Sequence, residues 1–526
     1  MKPLVFTYII SVIFTVCLRT IVCAQTSTTY TCDYTITKSG LYKNGTLGIR
    51  PGQTVCIQAG TYTNLHFSDF AGTAEKPIRF TNNGGKVIVS ADKSPAGIQF
   101  YFSKNFILSG SGSPDLEYGI LVEKTGTGGQ AVRVENKSSD CEIDHVEIAG
   151  SGFAGIMVKT DPTCDSTTWR ENLAIRNVKV HHNYIHDTDS EGIYIGSSFW
   201  NEGYKMACGN QPKLIYPHSI YGLEIHHNLI ERTGTEGLQY AAAPDAVVHH
   251  NIVRNTGLKP FASFQNNGVQ LGGGVGGSFY NNQISNSPAV GLIVIGNGGN
   301  MRIYNNLIVN STINAIFCDN RPGTEANTPI LFANNTLINT GEEAIKLYNE
   351  TNRNLVINNI IARVGKGRRY ITMAQDVPAE VAGNFMTSDI DSIGFINPAE
   401  GNFRLKGTSK LIDSGLSRTG SQISMDLDNN RRPIGRQIDI GAYEYYPVND
   451  QLITVYPSPC DDQLSLWSPE AIQQVKVYST TGREVLLFDS EPTTSINLSV
   501  KSLAAGLYVL KVETASGSVS KRFIKR

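Results

Sequence analysis

The chain has 526 residues, 45 Lys and Arg against 46 Asp and Glu, a formal net charge of −1, 51 glycines and 17% charged residues. This balance excludes an obligatory partner held by bulk charge, whether nucleic acid or an anionic membrane surface. The length exceeds one compact domain, and the glycine content suits a turn-rich β protein that grows by stacking rather than by widening its core.

Residues 1–24 read as an export signal: Lys2, an apolar run from Leu4 to Val16, and a small-residue site at Val22-Cys23-Ala24 that leaves Gln25 first after cleavage. The apolar run is too short for a comfortable membrane span, and no later stretch is longer, so no transmembrane segment is expected in the mature chain. Neither Cys17 nor Cys23 follows the small residue that lipid anchoring requires. Removing the signal takes the cysteines from nine to seven, and in an oxidising compartment Cys32 with Cys56 and Cys141 with Cys164 are the expected pairs. Cys318 falls at an inward strand position and reads as a small core residue.

Residues 25–100 form the cap and first rungs of a coil, because the first rung of a solenoid exposes a raw strand edge that must be covered. The runs RPGQTVCIQAGTY (Arg50 to Tyr62) and GTAEKPIRFTNNGGKVIVS (Gly72 to Ser90) resemble the opening rungs of secreted β-helix proteins of the pectate lyase-like superfamily, including the chondroitinase B and alginate lyase group. The resemblance carries no catalytic residue with it.

Within residues 101–380 one phrase returns with variations: VHHNYI, IHHNLI, VHHNIV, FYNNQI, IYNNLI, FANNTL and INNII. Its asparagines, Asn183, Asn228, Asn251, Asn282, Asn306, Asn335 and Asn359, lie 45, 23, 31, 24, 29 and 24 residues apart. A period in the twenties, with short strands rich in Ile, Val, Leu and Tyr, predicts a right-handed parallel β-helix, its asparagines forming a ladder at one turn of every rung. The histidine pairs His181/His182, His226/His227 and His249/His250 precede the ladder on the same strands. They are read as structural stacking, one of each pair turned inward or against the ladder, rather than as metal ligands.

The 45-residue spacing includes an insertion between Ile195 and Leu223 that carries Phe199, Trp200, Tyr204, Tyr216 and His218. Long loops on rigid scaffolds carry binding functions, so Trp200 and Tyr204 are candidates to stack on sugar. A smaller insertion, LKPFASFQ, spans Leu258 to Gln265.

A second phrase follows each asparagine, with Gly192, Gly237, Gly268 and Gly291 leading into a strand. Period-two alternation puts Ile193, Leu238, Val269, Leu292, Ile316 and Ile345 inside and exposes Tyr194, Gln239, Gln270, Ile293, Phe317 and Lys346. The turn before this stripe reads Glu191, Glu236, Asn267, Val290, Asn314 and Glu343. Neighbouring rungs sit about 4.8 Å apart, so Glu191 and Glu236 are close like charges that call for a cation or a proton. With Asp187, Asp189 and Asn267 they offer the hard oxygen ligands that calcium takes.

These residues support two chemistries. β-Elimination of a uronate needs a cation against the sugar carboxylate and a base for the C5 proton; Tyr194, His186, Arg232, Arg254 and Lys259 are the candidates, and Gln239 and Gln270 would bind substrate. Hydrolysis needs two carboxylates flanking the bond, which Asp187, Asp189, Glu191 and Glu236 could supply. The lyase group pairs its calcium ligands with a Lys and an Arg in set places, and this sequence has no match to that arrangement.

Residues 381–446 end in DLDNNRRPIGRQIDIGAYEY (Asp426 to Tyr445), which resembles the terminal segment of many secreted bacterial β-helices, with Asp426, Asp428 and Asp439 as turn formers. Residues 447–526 give short alternating strands joined by Gly turns, as in a small β-sandwich. Tyr456-Pro457-Ser458-Pro459, Gly482-Arg483, Ala505-Gly506-Leu507-Tyr508 and the closing Lys521 to Arg526 resemble the C-terminal sorting domain of the type IX secretion system of Bacteroidetes-like bacteria. The resemblance implies contact with that machinery, export across the outer membrane, and a surface-bound or released product. The expectation is a monomeric carbohydrate-active β-helix, a lyase on anionic polysaccharide, with a non-catalytic glycan-binding or adhesin-like protein as the competing class.

Overall fold

A computed structural model describes residues 30–296, 300–321, 325–417, 423–446, 453–480, 482–514 and 517–526; the export signal expected at residues 1–24 lies outside them. Each turn of the coil gives one short strand to each of three parallel sheets. Sheet 1 runs from Tyr34–Ile36 to Ala379–Ala382, and sheet 2 ends at Phe385–Thr387. Together they hold 23 strands, because Thr54–Tyr62 and Ile78–Ala91 pass through both without a break. Sheet 3 stacks 12 strands from Gly40–Lys43 to Ile371–Met373.

The alternation read from the sequence holds on all three sheets. Val180, Ile225, Val248 and Phe279 stack inward on sheet 1, Ile185, Ile230, Val253 and Ile284 on sheet 2, and Ile193, Leu238, Val269 and Leu292 on sheet 3, each at most 1% exposed. Burial of one such side chain contributes about 1.5–3 kcal/mol, so the coil is held by a column of small, repeated contributions. Gly192 shows why the turn before sheet 3 needs glycine: a Cβ there would lie 2.5 Å from Ile230 Cγ2 and 2.6 Å from the Gly237 carbonyl.

The asparagine ladder sits at the corner between sheets 1 and 2. Asn251 Nδ2 donates to Asn282 Oδ1 (3.0 Å) and to the carbonyls of Ile225 (2.9 Å) and His249 (3.1 Å), while its Oδ1 accepts from Asn228. The residue before each rung adopts left-handed dihedrals, with φ of 53° at His182 and His227 and 58° at Asn358. The ladder runs one rung beyond the sequence reading, to Asn384, whose Oδ1 accepts from Asn359 (2.8 Å). There Gly383, with φ 63°, takes the left-handed place and hides the phrase.

Two expectations are corrected. Cys32 pairs with Cys56, but Cys164 pairs with Cys208 and not with Cys141. Cys141 points into the core from sheet 1, whereas Cys164 and Cys208 both stand on loops that leave sheet 3 in successive rungs. Second, neither histidine of a pair turns inward. Both stand on the outer surface, forming two columns: His181, His226, His249, Tyr280 and Tyr304 in one, and His145, His182, His227 and His250 in the other. Val180, Ile225 and Val248 already fill the inward positions.

The segment after residue 387 folds back along the outside of the last rungs. Ile393, Phe395, Phe403 and Leu411 pack on Leu307, Ile338 and Ile360 of sheet 2. Left-handed asparagines hold its backbone: Asn281 donates to Asp426 O (2.7 Å), Asn305 to Met425 O (2.7 Å) and Asn334 to Asp439 O (2.9 Å). Asp426 and Asp439 act as turn formers, accepting from the backbone amides of Asn430 (2.7 Å) and Asp413 (2.7 Å). A fully buried ion pair, Arg432 to Glu444 at 2.9 Å, completes this closure. Residues 454–526 form a separate antiparallel unit of five strands, whose two longest, Gln463–Ser479 and Glu484–Ser499, bend where their register shifts and enclose Leu464, Val475, Leu510 and Phe523.

Candidate substrate groove

The outward positions of sheet 3 form one continuous row. In register they are His66, Gln99, Arg133, Met157, Tyr194, Gln239, Gln270, Ile293, Phe317, Lys346 and Thr372. From Tyr194 to Lys346 the row climbs five rungs, about 24 Å at about 4.8 Å each.

Two lobes rise beside this row from opposite edges. The first comes from the loops that leave sheet 3 after Ile156–Val158 and Ile193–Ile195, tied together by Cys164–Cys208. Arg170 lies over the Trp200 ring (4.0 Å) and the Tyr216 ring (4.8 Å), and His218, fully buried, accepts from the Thr160 amide (3.0 Å). Trp200 and Tyr204 are thus packed within the lobe: Trp200 donates to Ser219 Oγ (3.3 Å), and Tyr204 bonds Ser197 Oγ (3.0 Å) and Asp161 (3.3 Å). Phe199 is left exposed, at 52%. The second lobe enters sheet 3 from sheet 2 and exposes Leu258, Phe261 and Phe264, the last at 80%.

The first lobe folds over the floor, so Tyr194 and Gln239 face outward as expected but are buried. Ser198 is the contact: its Oγ lies 2.9 Å from Tyr194 Oη and accepts from Gln239 Nε2 at 2.7 Å. Gln270 Nε2 continues the chain to Gln239 Oε1 (2.9 Å). Beside Tyr194, the Lys159 ammonium stands 5.0 Å from the ring centre and 3.1 Å from Asp161. Further along, Lys346 lies 5.8 Å from the Phe317 ring and 5.2 Å from Tyr348, which meet edge to face at 5.5 Å. Arg133, Lys159 and Tyr348 were missed in the sequence; the alternation that placed Tyr194 also turns Arg133 and Lys159 outward when extended into the preceding rungs.

The turn column lies under the second lobe. Glu191 and Glu236 are 3% and 0% exposed. Glu191 accepts from Ser190 (2.7 Å), and Glu236 Oε1 accepts from Asn267 Nδ2 (3.0 Å), while Glu236 Oε2 has no hydrogen-bond partner among the described residues. Burial, reinforced by the charge of Glu191, pushes the Glu236 carboxyl up to about 7; burial also raises Glu191.

The remaining candidates are engaged elsewhere. Asp187 is held by Arg232 (Nε to Oδ1, 2.9 Å) and His186 (2.6 Å), hydrogen bonds led by Arg232 that pull it down to about 2. Asp189 pairs with Lys259 (2.7 Å). Arg232 and Arg254 converge on Glu231, a residue absent from the sequence reading, which also accepts from Tyr184 Oη (2.7 Å); Arg254 Nε reaches it at 2.6 Å. His186, Glu231 and Arg254 share the outer face of sheet 2, so Arg232 and Arg254 are gathered there and not with Tyr194 on sheet 3. Of the five expected calcium ligands, Asp187 and Asp189 are spent on ion pairs, and Asn267 Oδ1 accepts from the Val290 amide (3.3 Å). Glu191 and the unpartnered Glu236 Oε2 are the expected ligand carboxylates that no ion pair takes up among the described residues.

The "Right handed beta helix region" family profile matches residues 259–384, and the "Secretion system C-terminal sorting domain" profile matches residues 454–526. No curated protein matches in sequence. Among solved structures the chain is similar to pectate lyase Pel9A (12% identity, TM-score 0.42, covering 80% of this chain and 98% of that one). It is similar also to the GH136 lacto-N-biosidase from Eubacterium ramulus (12%, 0.39, 64% and 62%) and the periplasmic alginate epimerase AlgG (12%, 0.37, 66% and 84%). The chain is a right-handed parallel β-helix protein carrying a C-terminal sorting domain of the type IX secretion system.

Proposed function

We propose that this exported protein is carbohydrate-active, a lyase that binds an anionic, uronate-containing polysaccharide along the outward row of sheet 3. One observation carries the reading: a single ladder of outward residues is flanked by lobes from both edges and bears cations beside aromatic rings at two places, Lys159 with Tyr194 and Lys346 with Phe317 and Tyr348. Aromatic faces stack on sugar rings, and ammonium groups next to them suit carboxylates. In the elimination, the C5–H bond breaks as its proton passes to Tyr194 Oη, the C4–O bond breaks, a C4=C5 double bond forms, and the departing oxygen takes the proton that Tyr194 Oη gives up. Tyr194 Oη is the assigned proton acceptor, and Lys159, 5.0 Å from its ring centre, would offset the substrate carboxylate. Ser198 must withdraw from Tyr194 to admit substrate, a movement of the first lobe.

Glu191 and Glu236 are proposed to hold Ca2+, which would supply positive charge between two buried carboxylates and brace the wall of the groove. The protein acts as a monomer, at the cell surface or released. The test is incubation of the purified mature chain, with and without Ca2+, with a panel of uronate polysaccharides, following unsaturated product by ultraviolet absorbance. Product formation that Tyr194→Phe abolishes supports the lyase. Reducing ends without unsaturation would indicate hydrolysis, and neither signal would leave a glycan-binding protein, the second reading, which the covered Tyr194 and the exposed Phe199, Phe261 and Phe264 favour.

A further inference from the structure

The outer face of sheet 1, remote from the groove residues on sheet 3, carries a feature that the coil itself does not require. In three successive rungs the residues before the ladder asparagine are paired histidines whose Nδ1 atoms face each other: His181 to His182 at 2.9 Å, His226 to His227 at 2.9 Å and His249 to His250 at 2.7 Å. In the next two rungs the same positions are Tyr280-Asn281 and Tyr304-Asn305. These keep the ring stack (Tyr280 to Tyr304, 4.9 Å) and the left-handed dihedral (φ 53° at both asparagines). The scaffold is therefore satisfied by Tyr and Asn, and paired imidazoles are an addition to it.

Ligand atoms of His181, His182 and His226 all lie within 4.8 Å of one another, and His181 also belongs to a second such group with Glu142 and Asp144. The Glu142 carboxylate stands 3.5 Å from His181 Nε2, the nitrogen facing away from His182. A carboxylate on the far nitrogen of a ligating imidazole fixes its tautomer and raises its basicity. A tetrahedral ion with metal–nitrogen bonds of about 2.0–2.1 Å needs its nitrogens roughly 3.3 Å apart, so to form a chelate the His181 and His182 nitrogens must part by a few tenths of an ångström and both rings must swing until their lone pairs converge on the ion. His182 and His227 are exposed, so an ion can reach them from solvent.

We infer that the His181/His182 pair, supported by His226, is a binding site for a late first-row divalent ion of the zinc and copper class. Imidazole nitrogen suits those ions, whereas Ca2+ and Mg2+ take oxygen. The site is independent of the groove.

The test is equilibrium dialysis of the full chain against Zn2+ and Cu2+, with Ca2+ as control. Wild type is expected to retain Zn2+ or Cu2+ at micromolar concentration, and H182N/H227N, which copies the Asn of later rungs, to lose affinity by at least about tenfold. Its melting temperature in chelator should stay within a few degrees of wild type. If that variant is unstable, H181Y/H226Y copies the tyrosine column and should show the same loss. Failure of wild type to retain either ion, or undiminished binding by a folded variant, overturns the inference.

Discussion

The Lys159 ammonium stands 5.0 Å from the centre of the Tyr194 ring, one rung before it, and Ser198 from the first lobe closes over the same tyrosine at 2.9 Å. Charge, the proposed proton acceptor and its cover thus meet at one place on sheet 3. Tyr194→Phe removes the oxygen and keeps the ring. Its kcat for unsaturated product should fall about 100-fold or more, while stability changes by no more than the roughly 0.5–1.5 kcal/mol of one hydrogen bond. Lys159→Met should mainly raise KM, because it removes charge offered to bound carboxylate. Initial rates across substrate concentrations separate the two, and an unchanged kcat for Tyr194→Phe would remove it from the chemistry.

The ladder makes a different prediction, about stability alone. Asn251 makes three donor contacts and accepts from Asn228, all buried except the part-buried bond to the His249 carbonyl. Asn251→Ala strands those partners and should cost about 2–4 kcal/mol in urea unfolding. Asn384, half-buried at the far end, should cost less when changed to Ala. Equal losses at both positions would mean that the ladder does not act through buried, unsatisfied partners.

The ladder and the inward columns were legible because each recurs rung after rung, and a repeated signal survives local noise. The lobes were not legible in the same way. Cys164 finds Cys208 because two consecutive loops leave the same edge of sheet 3, and sequence proximity pointed instead to Cys141, which period-two alternation turns inward. The site divided for a related reason. Arg232 and Arg254 lie near Glu236 in sequence, yet one corner of the coil separates sheet 2 from sheet 3, and Glu231, on neither repeated phrase, draws both arginines. The outward row itself followed from alternation, but which of its members are covered depends on Ser198, whose loop has no period to read.

Because Cys164–Cys208 joins the two loops of the first lobe, Cys208→Ser should loosen the lobe without melting the coil. The cross-link restrains loops on the surface, while the coil's core lies in the three sheets. Limited proteolysis should cut the variant between residues 198 and 216 and leave the wild type intact, with both showing the same main unfolding transition. A large fall in the main transition would place the disulfide in the coil's own stability.

Glu236 supplies a pH prediction whose sign is fixed by its environment. Its folded carboxyl is pushed up to about 7 from 4.5, chiefly by burial and then by Glu191. The folded state therefore holds this proton more tightly than the unfolded chain. Its contribution is fully present below about pH 4.5 and is lost as pH rises through about 7, a change of about 3 kcal/mol at most. Asp426 and Asp439, raised by burial to about 6 and about 7, act in the same direction, so the measurement is the difference between wild type and Glu236→Gln. Wild type should lose stability relative to the variant between pH 5 and 8. Added Ca2+ at pH 8 should restore it, because a cation replaces the proton between two buried carboxylates. Glu191→Ala with Glu236→Ala should abolish the calcium response. A melting temperature that rises equally with Ca2+ in that double variant would place the calcium elsewhere, and a flat difference between wild type and Glu236→Gln across this range would show that Glu236 stays ionised in the fold.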